Sequence, residues 1–266
     1  MKKTLLVFLI IALSGVLSGE SPAMDDRERA TQTLLRSAIG LNVREVELLL
    51  KRGADINAMH SDYSLKPLTL AASWNPHAGV IRFLIESGAD VNEVMYDGNN
   101  LPINALCRAA AYNKNPEILK VLIEYGADVK SSVEIEEGEN WSPLMFAITY
   151  NPNPEITRFL IDQYKDFDIE KDGEQLLWLT LEYVGNPRVL RLLTNMGADV
   201  NIKNESGQTL LMSAIEKRVI ELVPILLDAG AKVTKEIIEK TREIQYYENT
   251  PLFEKLENRF KELSGK

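Results

Sequence analysis

The sequence predicts an all-α solenoid of about six helix–turn–helix units, joined by β-hairpin-like fingers and closed by helical C-terminal segments. Three observations predict it. The stretch "YNKNPEILKVLIEY" (112–125) returns 38 residues later as "YNPNPEITRFLIDQY" (150–164). A Gly-Ala pair closes a helix-like run at Gly53, Gly88, Gly126, Gly197 and Gly230, spaced by 35, 38, 71 and 33 residues, and Tyr164 holds the place skipped in the long gap. Within a unit, apolar residues such as Ile118, Val121 and Leu122 recur at i, i+3 and i+4, the stripe of an amphipathic helix. A fixed period of this length signals stacked repeats, because one helix pair cannot bury its apolar face alone.

The first segment lies outside that pattern. Lys2 and Lys3 precede an uncharged, mostly apolar run from Thr4 to Leu17, followed by small residues at Ser18, Gly19 and Ala23. This is the layout of a bacterial secretory signal peptide over 1–23. The run is shorter than the roughly 18 residues needed to span a bilayer. The expected location is therefore periplasmic or secreted, with no membrane attachment after cleavage.

Repeat units follow at about 30–58, 59–93, 94–131, 132–169, 170–202 and 203–233, with capping helices over 234–266. The first unit carries Arg36, Arg44 and Glu47 among its apolar positions and reads as the N-terminal cap. In the third, Asn115-Pro116-Glu117 supplies an N-cap, a proline at the first helical position and an acid near the positive helix end. Gly126 can take the left-handed conformation that ends the helix. Tyr164 cannot do so cheaply, so "YKDFDIEKDG" predicts a rebuilt turn. At the far end, Thr250-Pro251 restarts a helix with Leu252, Phe253 and Leu256 on one side.

Beside the Gly-Ala-Asp-Val-Asn ends, "KPLTLAA" (66–72), "SPLMFAI" (142–148) and "TLLMSAI" (209–215) mark helix starts, and "ESGQTLL" (205–211) a preceding turn. Together these resemble ankyrin repeats, over roughly residues 30–233. The resemblance implies a protein-binding scaffold whose partners dock on the finger tips and the exposed side of the first helix, the concave face. Carried over position by position, it points to Tyr63, Leu65, Leu101, Ile103, Glu139, Trp141 and Gln208 on fingers. At the ends of first helices it points to Trp74, Tyr112, Tyr150 and Tyr183. Two roles stay open for this aromatic ladder. Rings give large contact area at interface hot spots, or each packs over the aromatic-Asn-Pro turn and braces it.

The distances from each helix-ending position to the next helix start are 13, 16, 16, 11 and 12 residues, so two fingers are long. One holds Asp97-Gly98, a tight-turn signal. The other holds Glu134, Glu136, Glu137 and Glu139 before Trp141, an acidic run that reads as a solvated tip or as a site for a basic partner.

Composition narrows the function. With 30 basic against 39 acidic residues the net charge is −9, which repels phosphate backbones and argues against nucleic acid as a partner. One cysteine, Cys107, permits no intrachain disulfide, and its apolar setting predicts burial. Of two histidines, His60 lies in a finger and His77 at the head of a helix, where it reads as a cap. No phosphate loop, nucleophile motif or metal-ligand spacing appears, so no catalytic, cofactor-binding or metal residues are assigned. The expectation is a monomeric, non-enzymatic protein-binding module of the bacterial periplasm, its partner of unknown identity and carrying a basic patch. Two other roles fit the same scaffold: an immunity protein neutralising a periplasm-directed toxin, and a secreted effector binding a host protein.

Overall fold

The computed structural model describes residues 25–136, 138–183, 186–244 and 250–264, apart from the side chain of residue 264. The expected signal segment and Glu137 lie outside the described residues. Helices dominate, with two small antiparallel hairpins, and the described residues gather into two compact units. Of the described residues, the first comprises 25–109 together with 117–128; the second comprises 110–116 and those from 129 onward.

In the first unit, helices α1 (Asp26–Ser37) and α2 (Val43–Lys51) form one hairpin, and α3 (Pro67–Trp74) and α4 (Ala78–Glu86) the next. α1 packs on α3 and α2 on α4, so first helices stack on first helices and second on second. Asn42 closes α2 with a reciprocal capping box to Glu45. Strands β1 (Met95–Tyr96) and β2 (Pro102–Ile103) make the first long finger. Its turn differs from the expected Asp-Gly pair. Asp97 Oδ1 accepts from the backbone N–H groups of Asn99 and Leu101, and the left-handed residue is Asn100, at φ 59°, not Gly98. An aspartate binding the backbone ahead of it builds an Asx-type turn, and asparagine tolerates the left-handed region. Helix α5 (Ala105–Tyr112) and helix α6 (Pro116–Glu124) follow, and the division between the two units runs through both.

The second unit begins its own finger with β3 (Val133–Glu136) and β4 (Glu139–Trp141), registered Val133 to Trp141 and Glu134 to Asn140. Helices α7 (Pro143–Tyr150), α9 (Ile169–Glu182) and α11 (Leu210–Glu216) stack in one row. Helices α8 (Pro154–Gln163), α10 (Pro187–Asn195) and α12 (Val223–Asp228) form the other. Helices α13 (Lys235–Glu243) and α14 (Pro251–Ser264) follow and pack on each other, with Ile237, Ile238 and Leu256 buried.

Five helix ends share one backbone solution. Gly53, Gly88, Gly126, Gly197 and Gly230 all adopt φ between 86° and 105°. The following alanine donates back to the helix each time, as in Ala127 N–H to Leu122 O at 2.9 Å. This is the Schellman closure, and it satisfies carbonyls that the helix leaves open. Tyr164 instead stays in the extended region, and its hydroxyl donates to Val129 O at 2.8 Å. No hairpin follows it among the described residues. Helix α9 starts at Ile169, about seven residues before the repeat spacing predicts, with Asp168 as its N-cap and Glu170 and Asp172 in its first turn. Gly173 makes this possible: a Cβ there would sit 3.2 Å from Ile169 Cδ1 and 3.3 Å from Ala198 Cβ.

Candidate functional site

The finger positions fall into two classes. Leu65, Ile103 and Trp141 were expected at wet finger sites, yet they are 1%, 4% and 1% exposed. The structure corrects that expectation. Each directly precedes the N-cap of a first helix, and a side chain there folds back over the first turn as a hydrophobic staple. Trp141 shows the contact: its ring centroid lies 5.3 Å from that of Phe146, four residues past the cap Ser142, in an edge-on arrangement. In the two long fingers, strand pairing sets Ile103 opposite Met95 and Trp141 opposite Val133, all four buried. These apolar residues belong to the buried finger base.

Leu101 is 40% exposed, at the end of its turn. Tyr63 is half-buried, its ring 4.6 Å from that of His60, and His60 Nδ1 accepts from Asp62 N–H. Gln208 is half-buried and donates from Nε2 to Glu216 Oε2 at 2.9 Å. His77 makes no side-chain cap bond, contrary to expectation; its own N–H donates to Asn75 Oδ1. The acid-rich finger is partly self-directed, since Glu134 Oε1 accepts from Gly138 N–H.

The end of each first helix carries the ladder. Helices α3 and α7 bury nearly every residue before their last, so the last is where a side chain can surface. Trp74 is 36% exposed and Tyr150 38%. In the first unit the guanidinium of Arg108, itself 3% exposed, lies 5.1 Å from the centroid of Trp74, and its Nε donates to Ser73 Oγ. That is a cation–π pair in a largely dry setting.

In the second unit the rings converge. Tyr112 and Tyr150 stack at 6.2 Å, Trp141 lies 6.0 Å from Tyr150, and Tyr183 meets Trp141 edge-on at 5.0 Å. Glu139 ties the group together: one carboxylate oxygen, Oε1, accepts from Trp141 Nε1 at 2.7 Å and from the Tyr183 hydroxyl at 3.3 Å. Burial pushes the Tyr183 phenol up to about 12, helped by the charge of Glu139 and its hydrogen bond. Burial raises the Tyr150 phenol as well, with Tyr112 and Glu139 contributing. Five of the residues proposed from sequence, Tyr112, Glu139, Trp141, Tyr150 and Tyr183, are thus brought to one place. The sixth member, Phe146, gave no signal beyond helical apolar spacing.

A set of asparagines holds the aromatic-Asn-Pro turns. Asn75 is fully buried and donates from Nδ2 to Ala38 O at 2.7 Å and Leu41 O at 2.9 Å. Asn151, 1% exposed, donates to Ala110 O at 2.8 Å and Asn113 O at 2.7 Å. In both cases Oδ1 accepts from the N–H two residues ahead, so the side chain closes its own turn while binding the preceding repeat. A second set works at the Gly-Ala-Asp-Val-Asn ends. Asn92 Nδ2 donates to Gly126 O, and Asn201 Oδ1 accepts from Lys232 N–H. Sequence analysis gave these asparagines no role of their own, although Asn75 and Asn151 each stand directly after a ladder aromatic.

Among the described residues there is no group of three or more His, Cys, Asp or Glu placed to hold a metal, and no helix long and apolar enough to cross a membrane. Cys107 is buried, and burial pushes its thiol up to about 12, far from thiolate reactivity at neutral pH.

Comparison with known proteins agrees with this architecture. The family description "Ankyrin repeats (3 copies)" matches residues 106–204, and "Ankyrin repeat" matches residues 66–96. Among solved structures, the crystal structure of the human ASB11 ankyrin repeat domain is similar to this chain with a TM-score of 0.58 and 21% identity. The match covers 90% of this chain and 98% of that one, a likeness of fold. No curated protein matches the chain.

Proposed function

This is an ankyrin-repeat chain, and from that premise we propose that it captures a partner protein through Tyr112, Tyr150 and Tyr183, with Glu139 beside them. Ankyrin repeats make protein–protein interaction modules, a non-catalytic role, and the family leaves the docking residues to each chain. One observation carries this assignment: the second unit gathers exposed or half-exposed tyrosines around a carboxylate, over an already ordered tryptophan. Aromatic rings held rigid before binding lose little entropy on contact, which is what an interface hot spot requires. The net negative charge of the chain favours a partner with a basic surface and speeds their encounter. We place the encounter in a bacterial periplasm, on the strength of the basic and apolar leader at 1–23.

The test compares residues 24–266 with a Tyr112→Ala, Tyr150→Ala variant as bait for an envelope extract, followed by titration of the purified captured protein. Both baits must first unfold at similar temperatures. The expected result is one protein that binds the wild type and binds the variant at least about tenfold more weakly, as loss of two hot-spot rings entails. Equal affinity of the two baits would move the interface elsewhere.

A further inference from the structure

Glu139 is half-buried, and its Oε1 already accepts two hydrogen bonds, from Trp141 and Tyr183. Among the described residues no cation pairs with it; the ion pairs use other carboxylates. Oε2 is left with no described partner, although a carboxylate can accept about four hydrogen bonds. Among the described residues, this carboxylate therefore stands beside tyrosine rings without an ion-pair partner. Ring faces are electron-rich and also attract cations. Both features at this place ask for positive charge.

The same chain shows which cation suits this kind of rung. At Trp74, the corresponding ladder position in the first unit, the chain supplies its own arginine, with Arg108 lying over the ring. In the next two repeats, the position that Arg108 holds in its own is occupied by Phe146 and Leu179. Beside Tyr150, then, that position holds Leu179 where Trp74 has an arginine. A guanidinium is flat, stacks on rings and donates in a fork, so one group can lie on a tyrosine face while bonding a carboxylate. An ammonium can pair with the carboxylate but cannot stack.

We propose that Glu139, with the rings of Tyr150 and Tyr183 beside it, receives an arginine side chain of the partner protein. This rests on the reading of the second unit as the docking surface and names the chemistry it selects. The guanidinium donates to Glu139 Oε2 and lies on the exposed Tyr150 ring, as Arg108 lies on Trp74.

The test needs no partner. The tripeptide acetyl-Gly-Arg-Gly-amide is titrated into the 15N-labelled protein, and the Trp141 indole N–H signal, identified by its loss in Trp141→Phe, reports on Glu139. The control is the same peptide with citrulline, which keeps the planar shape and has no charge, a carbonyl oxygen standing where arginine has one NH2 group. The expected result is saturable movement of that signal with the arginine peptide, at millimolar strength. The citrulline peptide should bind at least about fivefold more weakly, as should the arginine peptide on Glu139→Gln, since charged hydrogen bonds and cation–π contacts are both weakened. The Glu139→Gln side chain keeps an acceptor oxygen for Trp141 and Tyr183, so the variant removes charge without removing the ring cluster's tether. Equal response to arginine and citrulline peptides, or no movement with either, overturns the proposal. If the tyrosine variant still loses partner capture in that event, the surface is the interface and its selectivity is not for arginine. If capture and peptide response both fail, the surface itself is wrong.

Discussion

The side-chain amide of Asn151 donates to the main-chain carbonyl of Asn113 at 2.7 Å, and Asn75 makes the matching bond to Leu41 in the first unit. Each such asparagine joins a repeat to the one before it and shapes its own turn at once. The proline that follows one or three places on then finds the turn already formed.

Replacing Asn151 with alanine removes two buried donors and strands the carbonyls of Ala110 and Asn113. Stranded buried polar groups cost about 1–3 kcal/mol each, so the expected loss for two is about 2–6 kcal/mol. Asn153→Ala, two residues on, removes a cap bond to Glu155 N–H and one bond to Lys114 O at a more open position, with an expected cost of about 1 kcal/mol. Urea unfolding of both variants checks the difference. Equal midpoints would show that the buried asparagine is not a joint.

Trp141 should behave as a core residue. Trp141→Ala is expected to cost about 3–5 kcal/mol, the range for a large buried ring, because the side chain is 1% exposed and touches Phe146, Tyr150 and Tyr183. Trp141→Phe should cost less, losing chiefly the bond to Glu139. Denaturation curves decide this. A stable Trp141→Ala that nonetheless loses partner capture would return the ring to the surface.

The phenols give a pH signature. Tyr183 ionises near 12 when folded, against about 10 in an unfolded chain. Between these values the unfolded chain has released a proton that the folded chain still holds, so stability falls as pH rises. The contribution is whole below about pH 10 and is lost as pH climbs through about 12. Absorbance titration at the phenolate band should show a late step that Tyr183→Phe removes. Glu139→Gln should move that step downward, since Glu139's charge and hydrogen bond hold the phenol protonated. A late step unchanged in both variants would detach Tyr183 from it.

Regular local rules made most of the fold legible. Glycine spacing located five helix ends, because only glycine takes the left-handed turn there at no cost. Asn-Pro pairs and Thr250-Pro251 located helix starts, because cap and proline chemistry act within a few residues. The early start of α9 escaped that logic. Its beginning depends on Gly173 meeting Ala198, a contact from another repeat that local sequence does not show. The site was half legible. Helix-end aromatics were found by position, since an end is where a packed helix surfaces. Burial of Trp141 and Ile103 was not, because a finger residue faces in or out according to strand register, and one step along the chain reverses it. The two hydrogen bonds that Glu139 accepts from Trp141 and Tyr183 depend on side-chain meetings that spacing alone does not specify.

The asparagine joints are directed at main-chain carbonyls, which every amino acid presents alike. A neighbour's side chains can therefore drift without loosening the joint, and a joint can be inherited unchanged while the rungs beside it acquire new tastes. Tyr112, Tyr150 and Tyr183 are exchangeable in that sense: changing them alters what the surface accepts, while Asn151 continues to grip the same two oxygens. Such a division lets recognition be rewritten on a frame that need not be rebuilt.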